Sequence, residues 1–205
     1  MKRIIFLLFV VGLGGVGVWY GNLRTDPTVV LVQFQADQQA VDVLKPGATQ
    51  QEIWSAIAYF EGDISRTKAQ PRLYSYYAAA LSMKPLYQSS PLDKQASSAQ
   101  ASAVFTNVAE TYPEQGLSVL FEAITLVRSP EFLQLDEKSH ARLLSAWRII
   151  RADADDGQIL PINREALAIM TEFIPVFAST YAERERADLS IESVAAQASA
   201  LMGEL

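Results

Sequence analysis

Residues 153–160 hold the densest set of metal-ligating residue types in the chain. Asp153, Asp155 and Asp156 fall within four residues and are followed by Gly157. Calcium takes about six to eight oxygen ligands, and acids at alternate positions of a tight loop between two helices can supply several of them. These three aspartates are therefore candidate calcium ligands, and calcium is the one cofactor that the sequence suggests.

The stretch distantly resembles the calcium loops of EF-hand and dockerin proteins, but its register differs from theirs. With Asp153 as the first ligand, Arg164 stands where the bidentate acid belongs and Glu165 follows one residue late. With Gly157 as the turn glycine, alanines stand at the first and third positions. We therefore favour an acidic turn between two helices, with Asn163 as the N-cap of the second helix.

Little in the sequence points to catalysis. His140 is the only histidine, which excludes a zinc site built on histidines, and it lies among charged residues at the start of a predicted helix. There is no glycine-rich phosphate loop, nucleophile elbow or Ser/His/Asp set. The absence of cysteine removes disulfides, thiolate metal sites and a lipid-modified cysteine. We predict that the protein is not an enzyme.

The strongest signal in the sequence is the uncharged segment at residues 4–20. It has 17 residues and follows Lys2 and Arg3. A helix of this length covers about 25 Å, which approaches the ~30 Å hydrocarbon core of a bilayer. Trp19 and Tyr20 fall where aromatic side chains meet the outer headgroups. The pattern predicts a single-pass anchor in the inner (cytoplasmic) membrane, with the N-terminus in the cytoplasm and the C-terminal domain in the periplasm.

A cleaved signal peptide shares the charged start and the apolar segment, so it is the competing interpretation. Cleavage requires small residues one and three positions before the cut, and Gly15 and Gly17 supply these only weakly. The residues that follow, 18–20, are typical of an interfacial anchor. We favour the retained anchor, and a periplasmic or secreted helical binding protein is the alternative.

Glycine is concentrated in this segment, where it could serve helix packing. Five of the 10 glycines lie in the first 21 residues, and Gly17 and Gly21 have the small-xxx-small spacing that lets membrane helices approach each other. Together with Gly14 they form a predicted surface for packing against another membrane helix. The alternative is that glycine is simply common in membrane helices.

The charge of the remaining chain argues against nucleic acid as a partner. Removing Lys2 and Arg3 from the 17 basic residues leaves 15 against 23 acidic ones, a net charge of −8. Such a surface repels phosphate backbones. The roughly 180 residues after the anchor are enough for one domain with a sizeable core.

The sequence predicts an all-α domain of about seven or eight helices at residues 49–205, joined to the anchor (residues 1–23) by a connector at residues 24–48. Residues 29–34 of the connector are rich in valine and mostly apolar and could form a strand, although we favour a helix continuing to Lys45. Start signals recur along the domain, and one helix is rich in small residues, which suggests tight packing between its neighbours. The signals are Thr49 with Glu52, Pro71, Ser90 with Pro91, Pro113, and Asp136; the small residues are Ala96, Ala99, Ala101 and Ala103.

Three tyrosines on one predicted helix are a further candidate site. Tyr74, Tyr76 and Tyr77 could line a ligand or partner groove, although Tyr74 and Tyr77 share a helix face, and we favour the rim of the core. Together these observations predict a membrane-anchored accessory or scaffold subunit that docks on a larger membrane protein complex through helix-face contacts. Its expected partners are other membrane protein subunits, and the bilayer through residues 4–20.

Overall fold

The described part of the chain consists of helices. The structure, a computed structural model, describes residues 31–45, 47–66, 70–128, 136–157, 159–182 and 191–204. No strand occurs in these ranges, which confirms the all-α class. The helices are α1 (Asp37–Asp42), α2 (Gln50–Arg66), α3 (Pro71–Met83), a 3-10 helix (Lys84–Tyr87), α4 (Pro91–Thr111), α5 (Gly116–Arg128), α6 (Asp136–Asp155), α7 (Pro161–Ala182) and α8 (Ile191–Glu204).

The predicted membrane segment lies outside the described residues, as do its candidate packing residues Gly14, Gly17 and Gly21 and its candidate interfacial residues Trp19 and Tyr20. Among the helices of the described ranges, none combines the length and the apolar character needed to cross a bilayer. The anchor therefore stays a prediction from the sequence.

Three helices form a row, and the others pack on it. Helix α5 contacts α3 on one side and α7 on the other. Helix α4 packs against both α3 and α5, and α6 packs against both α5 and α7. Helices α2 and α8 complete the arrangement at α3 and α7, and α1 packs on α2. One continuous hydrophobic core runs through this arrangement.

Several helix starts follow their sequence signals. At α2 the Thr49 N–H donates to Glu52 Oε2 over 2.7 Å, and the Glu52 N–H donates to Thr49 Oγ1 over 3.3 Å. This reciprocal pair is the predicted capping box. At α4 the Asp93 N–H donates to Ser90 Oγ over 3.4 Å, with Pro91 as the first helical residue. Pro71 likewise opens α3, as predicted.

Other boundaries differ from the prediction. Residues 31–36 form no helix, and α1 begins at Asp37. Helix α2 continues past Gly62 to Arg66, and α7 continues past Pro175 to Ala182. Both residues are unfavourable in a helix interior, but packing of the neighbouring turns can offset a local loss of this size. The structure places the start of α5 at Gly116, three residues after the predicted Pro113.

A chain of five aromatic rings connects the first described residues to α5. Phe34 contacts Tyr59 edge to face, Tyr59 contacts Phe60, Phe60 stacks on Tyr76, and Tyr76 contacts Phe121. The ring centroids are 5.1 to 6.3 Å apart along this chain. Such ring pairs add to the free energy gained by burying their apolar surface. The chain fixes α2 and α3 relative to the helix at the centre of the row.

The alanine-rich helix α4 is less tightly packed than expected. Ala101 is buried, whereas Ala96, Ala99 and Ala103 are exposed. The prediction that these alanines would sit between close neighbours is therefore wrong for three of the four positions. Small side chains on this helix leave space beside it.

Helix α5 begins at a glycine that lies directly against α6. A Cβ added to Gly116 would lie 3.0 Å from Ile150 Cγ1 and 3.2 Å from the carbonyl oxygen of Ala146. The Gly116 N–H also donates to Asn163 Oδ1 over 2.7 Å. A backbone oxygen on one side and a hydrogen bond on the other fix this residue, so a larger side chain would have to push the two helices apart.

We therefore expect Gly116→Ala to lower the free energy of unfolding by about 1–3 kcal/mol, the usual range for overpacking a core. The matched control is Gly203→Ala in α8, where an added Cβ meets no atom within 4 Å. That change should alter the free energy of unfolding by less than about 0.5 kcal/mol. Urea denaturation of the full-length chain, followed by circular dichroism, measures both. Equal effects of the two changes would contradict the steric account.

Candidate functional site

An open groove of about 640 Å³ runs along the row of α3, α5 and α7. Helix α1, the turn after it and the 3-10 helix complete its walls. We call it the central groove. Its lining residues are Gln38, Val41, Asp42, Leu44, Lys45, Gly47, Tyr76, Ala79, Ser82, Met83, Leu86, Tyr87, Phe121, Ile124, Thr125, Glu165, Ala168, Ile169, Glu172 and Phe173.

The floor of the central groove is apolar and aromatic. Tyr76 and Phe121 meet there edge to face with 5.1 Å between ring centroids. Leu86 stands at the lip with 67% of its surface exposed, which is high for a leucine. Ile169 and Phe173 on α7 are half-buried beside it. The groove thus presents both buried rings and accessible apolar side chains to whatever enters it.

The walls carry more acid than base. Among the described side chains that line the groove, Asp42, Glu165 and Glu172 are acidic and Lys45 is basic. Asp42 and Lys45 lie on the α1 side, whereas Glu165 and Glu172 lie on α7, about two turns apart along the helix. Asp42 and Glu172 are exposed, so both acidic walls can be reached from solvent.

Glu165 is fixed by two residues of α3. The Arg72 guanidinium donates to both of its oxygens, Nε to Oε2 over 2.7 Å and a terminal nitrogen to Oε1 over 2.8 Å. The Tyr76 hydroxyl donates to Oε1 over 2.6 Å. The Arg72 guanidinium carbon also lies 5.0 Å from the centre of the Tyr76 ring, within range of a cation–π contact. The bidentate geometry is the stronger kind of arginine–carboxylate pair.

This network shifts the pKa values of its members in opposite directions. Burial alone would raise the pKa of Glu165, but the hydrogen bonds from Arg72 and Tyr76 and the arginine's positive charge hold it below its usual value. Burial, together with the hydrogen bond to the charged carboxylate, raises the pKa of the Tyr76 hydroxyl. Glu165 therefore stays ionised and Tyr76 stays protonated at neutral pH, so neither is poised to exchange a proton.

The three candidate calcium ligands have different contacts in the structure. Asp153 Oδ2 accepts hydrogen bonds from the Leu160 N–H over 2.6 Å and from Asn163 Nδ2 over 2.9 Å. Asp155 pairs with Arg151 one helical turn away, and both side chains are about half exposed. Asp156 is exposed in the turn. Within the described ranges, no three His, Cys, Asp or Glu side chains are grouped so that they could hold a metal ion.

Asn163 is a buried connector and not the predicted helix cap. Helix α7 begins two residues earlier at Pro161, and the Leu160 carbonyl accepts from the N–H groups of Asn163 and Arg164. The Asn163 side chain is fully buried and joins three segments. Its Oδ1 accepts from the Gly116 N–H, and its Nδ2 donates to the Glu114 carbonyl over 2.9 Å and to Asp153.

The other candidate residues from the sequence are separated from one another. His140 is half-buried near the start of α6, away from the central groove lining. Of the three tyrosines, Tyr76 lines the groove, Tyr77 is buried and donates to Glu61 Oε1 over 2.8 Å, and Tyr74 is half-buried. The groove interpretation of this cluster therefore applies to Tyr76.

The sequence analysis missed the pairing of Arg72 with Glu165, although a signal for it exists. Glu165 lies three residues after Ile162 and four before Ile169, so it interrupts an apolar face of α7. An acid in that position needs a partner when it is buried. Arg72 and Tyr76 are four residues apart and therefore share a face of α3, which is the spacing a shared carboxylate requires.

Comparison with protein-family models, with curated proteins and with solved structures gave no match.

The hydrogen bonds of Asp153 predict unequal effects for two aspartates of the same turn. Asp153→Ala leaves the buried Asn163 amide short of an acceptor and should lower the free energy of unfolding by about 1–3 kcal/mol. Asp155→Ala removes an exposed pair and should cost less than about 0.5 kcal/mol. Thermal melts in chelator and in millimolar calcium test both roles. A calcium-dependent rise in melting temperature that both substitutions abolish would instead identify a calcium site.

Glu165→Gln should show how the ion pair contributes to stability at different pH values. At neutral pH we expect a loss of about 1–3 kcal/mol, because the charge-assisted hydrogen bonds become neutral ones. The folded-state pKa of Glu165 is below its ordinary value of 4.5. The ion pair therefore contributes fully to the free energy of unfolding above pH 4.5. This contribution is lost as the pH falls through the lower pKa of the folded state. The difference in free energy of unfolding between wild type and Glu165→Gln should therefore become smaller as the pH is lowered.

The matched control for this series is Glu172→Gln, an exposed acid on the same helix. It should change the free energy of unfolding by less than about 0.5 kcal/mol at neutral pH. Urea denaturation at a series of pH values measures all three proteins. A Glu165→Gln difference that stays constant down to strongly acidic pH would show that the ion pair is not its cause.

Proposed function

We propose that the protein is a membrane-anchored extracytoplasmic scaffold subunit whose central groove binds an amphipathic helix of another membrane protein subunit. The observation that carries the proposal is the groove itself, with its accessible apolar floor and acidic walls. Its volume of about 640 Å³ lies within the common range for binding sites. Its length runs across three helices, which suits an extended partner better than a compact one.

The apolar floor matches the side chains that a helix presents along one face. An amphipathic helix places apolar residues at positions i, i+3, i+4 and i+7, and such a stripe is the usual ligand of a groove between helices. The exposed Leu86 and the half-buried Met83 and Phe173 would contact that stripe. Leucine, methionine and aromatic side chains adapt well to a partner's shape.

The acidic walls favour a partner with basic residues beside its apolar stripe. Arg72 already neutralises Glu165, which leaves Asp42 on one wall and Glu172 on the other against Lys45. Lysine or arginine side chains flanking the stripe would reach both acids. Because the pairs would be exposed, they would contribute more to the rate and specificity of association than to affinity.

The chemistry of the groove supports binding in preference to catalysis. Its most buried acid, Glu165, has both oxygens occupied, and the tyrosine beside it holds its proton. A scaffold role requires only shape and charge, which the groove provides. The predicted anchor at residues 4–20 would keep the groove next to the bilayer, where other membrane subunits are concentrated and the effective concentration of a partner is high.

Site-specific photocrosslinking of the full-length chain in native membranes tests the proposal. We expect a photoreactive residue at Leu86 to label another membrane protein, at a segment with an apolar stripe and basic flanks. The same group at Met202, an exposed apolar position on α8, should give no such product. Filling the groove with Ala168→Trp should reduce the Leu86 product about tenfold, equivalent to a loss of ~1.4 kcal/mol in binding.

The matched control is Ala200→Trp, which places the same side chain on an exposed position of α8. Labelling that survives Ala168→Trp, or that reaches only lipid or a second copy of the chain, would overturn the proposal.

Intact-mass measurement of the native protein separates the two forms of the N-terminus, because a cleaved chain would lack Trp19 and Tyr20.

A further inference from the structure

A second cavity lies between α4, α5 and the start of α6, beside the central groove. It has a volume of about 580 Å³ and reaches from Ser82 on α3 to Lys138 on α6. We call it the α4 pocket. Phe105, Leu126 and Ala101 give it apolar walls, and the hydroxyls of Ser98, Ser102 and Thr125 also line it.

The α4 pocket exists because one of its walls is made of small residues. Ser98, Ala99, Ala101 and Ser102 occupy consecutive turns of α4 where larger side chains would fill the space. Phe105 closes the deep end with 2% of its surface exposed. A cavity with an apolar end and several hydroxyls is the usual form of a small-molecule site.

A buried carboxylate on the α5 wall is neutralised by two cations. Glu122 has 4% of its side chain exposed, and its oxygens lie 3.0 Å from Lys138 Nζ and 2.8 Å from Arg142 Nε. These are contacts between charges, since neither meets the geometry of a hydrogen bond. One negative charge facing two positive ones leaves an excess of one positive charge beside the pocket.

A further lysine also lines the pocket. Among the described residues that line the α4 pocket, the charged ones are Lys94, Lys138 and Glu122. Among the described side chains, Lys138 and Arg142 both face the one acid Glu122. The whole chain has a net charge of −6, so this local positive charge runs against the rest of the protein. A cation would be repelled there, whereas an anion would be attracted.

We propose that the α4 pocket binds an organic carboxylate with an apolar body. The apolar body would lie against Phe105 and Leu126, and the carboxylate would face Lys138 and Lys94, with serine hydroxyls as additional donors. The ligand is either a small free acid or the C-terminal carboxylate of a peptide, since both present the same chemistry. This inference concerns a cavity separate from the central groove and does not depend on the proposed function.

Calorimetric titration tests the proposal with three probes of one shape. The full-length chain is placed in nanodiscs of zwitterionic lipid, and empty nanodiscs provide the blank. We expect 4-phenylbutyrate to bind saturably, with a dissociation constant below about 1 mM. The neutral amide and the cationic amine of the same skeleton should bind at least about tenfold more weakly. Equal binding of all three probes, or no saturable binding of the acid, would overturn the proposal.

Two substitutions with opposite electrostatic effects locate the site. Lys138→Gln removes a cation and should weaken binding of 4-phenylbutyrate about tenfold. Glu122→Gln removes the competing acid and should strengthen binding of 4-phenylbutyrate. A merely structural role for Glu122 would not produce tighter binding in this variant. Lys94→Gln provides a variant at the pocket rim, away from the buried pair, and should also weaken binding. Unchanged affinity in Lys138→Gln and Lys94→Gln would contradict the assignment.

Peptides distinguish the two sources of the carboxylate. A short peptide ending in Leu-Phe is titrated with a free C-terminus and as its C-terminal amide. If the free acid form binds at least about tenfold tighter than 4-phenylbutyrate and the amide does not bind, the ligand is a protein C-terminus. If the peptide binds no better than 4-phenylbutyrate, a small free acid is the ligand. Binding of the amide as tightly as the acid would overturn the role of the carboxylate.

Discussion

The ion pair between Arg72 and Glu165 constrains how α3 and α7 are placed in the central row of helices. Helices α3 and α7 both pack against α5, and this ion pair also joins them directly through two hydrogen bonds from one guanidinium. Tyr76 adds a third hydrogen bond and also forms part of the groove floor. Because the pair is still partly exposed to solvent, it does not pay the full desolvation cost of a deeply buried pair. The width of the groove therefore depends on a polar contact, although the groove itself is mostly apolar.

Polar contacts also hold α5 against its neighbours α6 and α7. Near the start of α5, the small size of Gly116 permits close approach to α6, and the Gly116 N–H donates to Asn163 of α7. Further along, the Ser139 hydroxyl donates to the Ala123 carbonyl over 3.2 Å, and Glu122 meets two cations of α6. Apolar burial supplies most of the free energy of folding, but it specifies orientation poorly. These directional contacts select one arrangement of the helices.

The sequence predicts the elements of this protein better than their contacts. Thr49, Pro71 and Ser90 mark helix starts correctly, because capping depends on residues within one turn of each other. Asn163 has the residue type of a cap, yet Pro161 opens the helix and frees the amide for partners 10 and 49 residues away. Glu122 and Glu165 are visible as acids on apolar faces, but their partners depend on which helices become neighbours. The central groove could not be predicted for the same reason, since it is formed by five separate elements.

One hydrogen bond belongs to both cavities. The Thr125 hydroxyl donates to Ser82 Oγ over 3.1 Å, and both side chains line the central groove as well as the α4 pocket. Hydroxyl groups rotate readily, so a ligand in either cavity can form a hydrogen bond with one of these hydroxyls and break the bond between Thr125 and Ser82. Such a coupling is reciprocal: if a ligand in one cavity changes the affinity of the other cavity for its ligand by some factor, the second ligand changes the affinity for the first by the same factor. If both cavities bind ligands, this pair of hydroxyls is a direct contact through which one occupied site can change the affinity of the other.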